Sequence, residues 1–506
     1  MSVHPPHGSA GLGENGAPGG PGEGPAGRAA GRTEGTPARD GGATVEILTS
    51  DVADVGQRRA AGYYRQAGLV EGDRVVFCLP SSADLLMAVL GALRSGIVPV
   101  LLNATLTDTE RDLLIADADP GLVVPDRLAL AAVVGGDEVG GDEVELFPFP
   151  RARPMHYTSG TTGRAKGVWS GLWSDAVAEA AFRDEADLWS FGPDDVHLVC
   201  SPMYHSVSVR FAGGTLLSGG TCLVLSRFDG PTAAAALRGE VGPVPTTTFM
   251  APSALARLLE SVPAGERWDH LRLLVHAGSP CPPTVKEDAR SRVGPDVLWE
   301  FYGSTEGQFT ACSFDEWQNK PGTVGRARPG RTLLVDDDGT IWCRPPEFAA
   351  FSYWGDPAKT ALAWRDGSFT VGDLGRLDSD GYLYLDGRRD DLIISGGVNV
   401  YPAEVEAVLS AVEGVRDVAV FGRDDPRWGQ QVTAAVEVRD GVDVEAVLAG
   451  LEAAANGSLA GYKRPKVYEV IDSLPRTATG KVRRLALADR AAPIEDGKPG
   501  GPATPA

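Results

Sequence analysis

Short runs of aliphatic and β-branched residues alternate with helix-patterned stretches over much of the chain. Residues 74–79, 98–102, 197–200, 221–225 and 271–276 carry the strand pattern, and residues 84–94 and 253–260 carry the helical one. Strands that return through helices lie mostly parallel, so the pattern predicts an α/β architecture with largely parallel strands. A chain of 506 residues, 43% of them apolar, is long enough to build two folded units.

The pattern changes near residue 378. The turn Asp378-Ser-Asp-Gly381 and the alternating Tyr382-Leu-Tyr-Leu385 predict a small antiparallel hairpin. The charged run Arg388-Arg-Asp-Asp391 then leads into a second mixed unit. It is expected to hold a strand near Leu392, a helix opened by Pro402 and carried by residues 405–409, strands at 418–421 and 432–438, and a helix after Val442 capped by Asp443. Both ends of the chain are rich in Gly and Pro, a composition that buries too little apolar surface to offset chain entropy, so residues 1–42 and 492–506 are expected to be disordered tails. The run Gly22-Glu-Gly-Pro-Ala-Gly27 matches the dinucleotide pattern G-x-G-x-x-G, but no strand precedes it and Pro25 interrupts it, so it is a chance match.

A formal charge of -21 opposes binding to polyanions, which excludes nucleic acid as a general partner. The six cysteines show no paired spacing, as expected of buried thiols in a reducing cytoplasm. The longest apolar stretch, residues 85–102, is broken by Arg94, Gly96 and Pro99, so it reads as a helix turning into a strand and not as a membrane span. No apolar signal-type segment opens the chain, and a cytoplasmic protein without a membrane partner is expected.

Four segments carry chemistry. Tyr157-Thr-Ser-Gly-Thr-Thr-Gly-Arg-Ala-Lys-Gly-Val168 offers four aliphatic hydroxyls, three glycines and Lys166, a set suited to a polyphosphate. It is not a Walker loop, because Gly167 follows Lys166 where a Ser or Thr would hold Mg²⁺. In Glu300-Phe-Tyr-Gly-Ser-Thr-Glu306, Tyr302 is suited to stacking on a base and Glu306 to ligating Mg²⁺ just beyond a strand's carboxyl end. Asp373, after Gly372, and Arg388, after Gly387, are suited to gripping a ribose, or else form an ordinary surface ion pair. Lastly, Ser473-Leu-Pro-Arg-Thr-Ala-Thr-Gly-Lys481 delivers one lysine near the end of the second unit, where a cation aimed at a phosphate would stabilise developing charge. Taken singly, each segment also reads as a solvated turn or surface charge.

Together, from about Val45 to Leu487 and in this order, these segments resemble the adenylate-forming superfamily of acyl-CoA synthetases, nonribosomal peptide synthetase adenylation domains and luciferases. The resemblance is most specific at residues 158–167, 302–306, 372–373, 387–401 and 475–481. It implies a large N-terminal adenylating domain of mixed sheets flanked by helices, over residues 43–387, and a small mobile α+β C-terminal domain over 392–491, joined by a hinge at 388–391 centred on Asp390. It further implies that Thr158, Ser159, Gly160, Thr161, Thr162 and Lys166 engage the ATP phosphates, Gly278 and Tyr302 the adenine, and Asp373 and Arg388 the ribose. Thr305 joins the nucleotide-binding set, Glu306 and Thr158 serve Mg²⁺, and Lys481 drives adenylation and then withdraws as the small domain turns. One departure is visible: Ala165 stands where the family usually has Pro, which removes a fixed φ from the phosphate loop.

The stretches Ser201-Pro-Met-Tyr-His-Ser206, His276-Ala-Gly-Ser-Pro-Cys-Pro-Pro283 and Pro321-Gly-Thr-Val-Gly325 look most like bacterial acyl-CoA and aryl-CoA ligases. In those relatives the residue matching His205 lies beside the acid pocket and gates it. The resemblance therefore implies ATP- and Mg²⁺-dependent adenylation of a small oxyacid, with coenzyme A as second substrate, reached past Gly396 and Gly397. An amine acceptor is the alternative, in the extreme an ATP-dependent diazotase activating nitrous acid for an aryl amine. A non-catalytic nucleotide sensor is disfavoured by the joint presence of Lys481, Glu306, Asp373 and Arg388. The acid pocket is expected around His205 and residues 207–210, 249–253, 277–279 and 303–310.

Overall fold

The computed structural model describes residues 43–135, 144–158, 165–395, 398–426, 428–476 and 482–490. Both expected tails, the loop residues Ser159, Gly160, Thr161 and Thr162, the pair Gly396 and Gly397, and Lys481 lie outside the described residues. The chain divides into two compact units, and the second takes in 335–341 and 372–376 as well as everything from Tyr384 onward.

Two sheets organise the first unit. In one, Leu122–Val124, Arg74–Phe77, Val98–Leu101 and Met155–Thr158 run parallel, and Lys166–Trp169 and Ser352–Tyr353 complete it antiparallel. The other has a parallel centre, ordered Thr221–Leu225, Val196–Val199, Thr247–Met250, Leu273–His276, Leu298–Gly303. Val45–Thr49 pairs antiparallel at one side, and Gln308–Ser313 and Thr323–Ala327 do so at the other.

The expectation of largely parallel strands thus holds only for the sheet centres. The reason is local: only four residues separate Gly303 from Gln308, and so short a link joins only antiparallel neighbours. The turn closes through Ser304 N–H donating to the Gly307 carbonyl at 2.7 Å.

Helices cover the sheets. Ala83–Leu93 is capped by the Ser82 hydroxyl and buries all but one of its residues. It packs closely on Ser50–Gln66, since a Cβ at Gly91 would meet the Gln57 carbonyl oxygen at 2.5 Å. Alanine at position 91 would therefore force the two helices apart. Each large aliphatic side chain sealed here, such as Leu85 or Leu86, stabilises the fold by roughly 1.5–3 kcal/mol.

The helix Ser206–Leu217 starts at His205, which makes no side-chain cap bond. It buries Val209, Phe211, Ala212 and Leu216, and Phe211 belongs to an aromatic cluster with Trp189, Phe249 and Phe301.

In the second unit, Val415–Asp425 and Gly429–Val438 form a long antiparallel pair, longer than the sequence pattern suggested because polar residues such as Arg423 and Asp424 continue the ladder. Val467–Val470 adds in parallel, and Ile393–Ser395 pairs antiparallel with Val398–Val400. Pro402–Leu409 and Val444–Ser458 supply Val405, Leu409 and Leu451 to the core, and Asp443 caps the second helix as expected.

Candidate active site

The phosphate-loop residues that are described form its stem. Thr158 ends the strand Met155–Thr158 and pairs in register with Lys166, the first residue of Lys166–Trp169. This hairpin continues to Ser352–Tyr353, which places Tyr353 opposite Val168.

Tyr353 links the stem to Glu306. Its hydroxyl donates to Glu306 Oε1 at 3.0 Å, while its ring lies 4.7 Å from Lys166 Nζ. Burial first, and then the Glu306 carboxylate, push the Tyr353 phenol well above its ordinary pKa, so it stays a donor. Lys166 is pushed down to about 8 by desolvation and by Lys359, with Glu306 and Asp356 opposing the shift. Such a lysine gains from the arrival of a polyanion, which would offset the neighbouring cation.

Glu306 is 7% exposed. The described residues include no cluster of three or more metal-ligating side chains. A single buried carboxylate suits Mg²⁺, which keeps waters and binds through one or two carboxylates plus substrate phosphates.

At the carboxyl edge of the larger sheet, His276 pairs in parallel register with Glu300, so Gly278 and Tyr302 stand two residues beyond the same rung. Gly278 has φ +102°, and the space where its Cβ would sit is open within 4 Å, leaving a bare backbone edge. Tyr302 lies within its strand, not beyond it, at a register shift beside Gly303; its ring centroid is 4.8 Å from that of Phe309.

Thr305, in the turn before Glu306, lines a cavity of about 140 Å³. The cavity also meets Arg210, Ser304 and Gln308 from the stretches 207–210 and 303–310, and Ser206 beside them, whereas His205 is not among its lining. Stretches 249–253 and 277–279 are not among its lining; Phe249 packs in the aromatic cluster behind it.

His205 sits at the start of Ser206–Leu217 with its ring 4.6 Å from that of Tyr204. Behind it, His156 is 2% exposed and driven down to about 3 by burial, His205, Arg153 and Arg210.

The second unit holds Asp373 and Arg388 as an ion pair, Arg388 Nε to Asp373 Oδ1 at 3.0 Å. Gly372 and Gly387 both carry positive φ beside them. Asp390 falls in the short 3-10 turn Arg389–Asp391.

Three residues escaped the sequence reading, Tyr353, Lys359 and Arg153, and Arg210 was named there only as part of the stretch 207–210, without its charge. One signal was available, since Arg210 is the lone charge in the helix Ser-Val-Ser-Val-Arg-Phe-Ala-Gly-Gly-Thr-Leu-Leu.

The hairpin stem of Thr158 and Lys166, the buried Glu306 carboxylate and the adjoining cavity agree with the chain's match to known families. Residues 33–147 and 153–347 match the AMP-binding enzyme model, and residues 404–481 match the AMP-binding enzyme C-terminal domain. The chain belongs to the AMP-binding enzyme family.

It is 31% identical over 439 residues to a 2-succinylbenzoate–CoA ligase of Listeria monocytogenes, covering 83% of this chain and 90% of that one. The o-succinylbenzoate coenzyme A synthetase of Bacillus subtilis, in complex with ATP and magnesium ion, superposes with a TM-score of 0.72 at 26% identity, over 86% of this chain and 94% of the other. The amide bond synthetase McbA of Marinactinospora thermotolerans does so with a TM-score of 0.73 at 28% identity, over 86% and 93%. This AMP-binding enzyme is a mixed α/β ligase of adenylate-forming type, and no helix among its described residues is long and apolar enough to cross a membrane.

Proposed function

We propose that this AMP-binding enzyme activates a small aromatic or medium-sized carboxylic acid as its AMP ester and passes the acyl group to coenzyme A. The observation that carries the reading is a single turn, 303–308, that presents Ser304, Thr305 and Gln308 to the cavity while placing Glu306 against Tyr353. Acid and nucleotide phosphate would meet across it.

A carboxylate is a poor electrophile because its leaving group is oxide. In the first step a carboxylate oxygen attacks the α-phosphorus of ATP, and the bond from that phosphorus to the bridging oxygen breaks to release pyrophosphate. Lys166 and the hydroxyls of Thr158, Ser159, Thr161 and Thr162, with the Gly160 backbone, bind the phosphates. Thr305 supports the α-phosphate side, and Gly278 and Tyr302 hold the base. Asp373 and Arg388 take the ribose hydroxyls. Glu306 and Thr158 would hold Mg²⁺, which neutralises phosphate charge when bound. Lys481 stabilises charge in the pentavalent transition state.

The coenzyme A sulfur then attacks the acyl carbon, the bond to AMP oxygen breaks, and the thiol proton goes to solvent. A domain turn about Asp390 would separate the two steps. His205 gates the acid pocket.

Likeness to an amide bond synthetase favours an amine as the alternative acceptor of the same adenylate; nitrite with an aryl amine is its limiting case. Incubation with ATP, Mg²⁺, coenzyme A and a panel of acids should yield thioester, AMP and pyrophosphate in equal amounts. Acid-dependent AMP without thioester, rescued by an aryl amine, would replace coenzyme A with the amine. Nitrite-dependent AMP would replace the acid as well.

A further inference from the structure

The charges behind the cavity do not balance. Glu185 already accepts from Arg328 Nη1 at 3.1 Å through one oxygen and from the Trp189 indole N–H at 3.1 Å through the other. Asp184 is held by Arg328 Nη2 at 2.8 Å and by Arg331 Nη2 at 2.8 Å. Arg210 comes third. Its Nε stands 3.9 Å from Glu185 Oε2, too far for a hydrogen bond.

Both Nε and Nη2 of Arg210 are sealed from solvent without a hydrogen-bond partner among the described residues. Among the described residues, Arg153 Nη1 and Nη2, which also reach this wall, donate to the uncharged backbone carbonyls of Glu306 and Ala350, each at 3.1 Å. Four guanidiniums, of Arg153, Arg210, Arg328 and Arg331, therefore face three carboxylates among the described residues, of Asp184, Glu185 and Glu306.

Two more unpaired polar atoms face the same space. Ser304 Oγ and Gln308 Oε1 are buried without partners, and both residues line the cavity with Arg210. A serine hydroxyl donates, and the Gln308 amide turned over presents two N–H donors. Buried polar groups are rarely left without a hydrogen bond, and the ion pair of Arg210 with Glu185 leaves two of its buried nitrogens without an acceptor among the described residues.

We infer that Arg210, with Ser304 and Gln308, forms a subsite for a second carboxylate, so that the acid this enzyme activates is a dicarboxylic one. The inference rests on the acid-activating reading above and narrows its substrate class. At about 140 Å³ the cavity is close to the 150 Å³ or so that accommodates one benzene ring, so the two carboxyl groups sit on a ring-sized or shorter spacer. The mutual repulsion of Arg153 and Arg210 works in the same direction. Burial first, then Arg210, pushes Arg153 down to about 10, where it remains charged at neutral pH and gains from a second anion.

The test compares each benzenedicarboxylate isomer, and the aliphatic diacids from succinate to adipate, with its own monomethyl ester, which keeps the shape and removes one charge. For at least one pair, kcat/KM for acid-dependent pyrophosphate release should favour the diacid by about tenfold to 100-fold, the worth of a charge-assisted hydrogen bond. Arg210→Met should collapse that ratio towards one, and Arg210→Lys should restore part of it. Equal use of diacid and ester throughout overturns the subsite while leaving adenylation intact, as does an Arg210→Met variant with an unchanged ratio. If no acid turns over, thermal shift by the diacids is compared in wild type and Arg210→Met; no Arg210-dependent shift overturns the subsite as well, whereas a shift upholds it and places the failure in the activation chemistry.

Discussion

The stem of the phosphate hairpin and the wall of the acid cavity share the turn 303–308 but settle their charges differently. Around Tyr353 the polar groups are partnered: Lys166 and Lys359 stand among Glu306 and Asp356, with the phenol donating to the carboxylate. Around Arg210, guanidinium and amide atoms lack hydrogen-bond partners among the described residues. The first region is suited to a nucleotide that every member of such a family uses, while the second is suited to a ligand particular to this chain. On the proposed reading, general chemistry and selectivity occupy neighbouring but separable walls.

The two walls should respond to different changes. The largest effect is expected from Lys481→Ala, which should lower acid-dependent AMP formation by about 10²–10³-fold, the scale of losing a preorganised charge stabiliser. The loss should be the same for every acid. A loss that varied between diacid and ester would break the separation, as would turnover undiminished in the variant.

A smaller effect is expected from Tyr353→Phe, which keeps the ring over Lys166 and removes the bond to Glu306. Hydrogen bonds to charged groups are worth about 1.5–3 kcal/mol, so KM for Mg-ATP should rise roughly tenfold with no change in the diacid-to-ester ratio. Steady-state kinetics at varied Mg²⁺ would show it, and a change in the ratio with KM unmoved would assign Tyr353 to the wrong wall.

The smallest effect is on stability and involves the histidines behind both walls. Burial is the first cause that drives His156 down to about 3 and His197 and His276 to about 4. The unfolded chain takes up these protons near pH 6.5 and the folded chain does not, so the unfolded state binds more protons between these values. Stability should therefore fall as pH drops from 6.5 towards 4, by about 1.4 kcal/mol per pH unit for each histidine. Urea midpoints measured at pH 7, 6 and 5 should decline accordingly; a flat profile would mean that these imidazoles are charged in the fold.

The comparison also explains what could be read from the sequence. The residues proposed to hold the nucleotide were legible because they are close in sequence: Thr158 and Lys166 pair across one hairpin, and Tyr302, Thr305 and Glu306 fall within five residues. Tyr353 was not, because only strand pairing across residues 166–169 and 352–353 brings it to Glu306. The acid wall was less legible still. Arg153, Arg210 and the pair Arg328 and Arg331 come from three separate segments, and each alone reads as a surface charge. The parallel centre of the larger sheet followed from the alternating pattern, whereas its antiparallel flank depended on the length of one turn. In the second unit the cap at Asp443 and the helix opened by Pro402 were written locally, and both are present.

The central claim is that this AMP-binding enzyme activates its acid as an acyl adenylate before any acceptor enters. The most direct measurement is exchange of labelled pyrophosphate into ATP, with Mg²⁺ and the acid panel present and both coenzyme A and amines left out. The account predicts exchange that depends on the acid and is lost in Lys481→Ala. Exchange with no acid from the panel, or cleavage of ATP to ADP and phosphate, would contradict it.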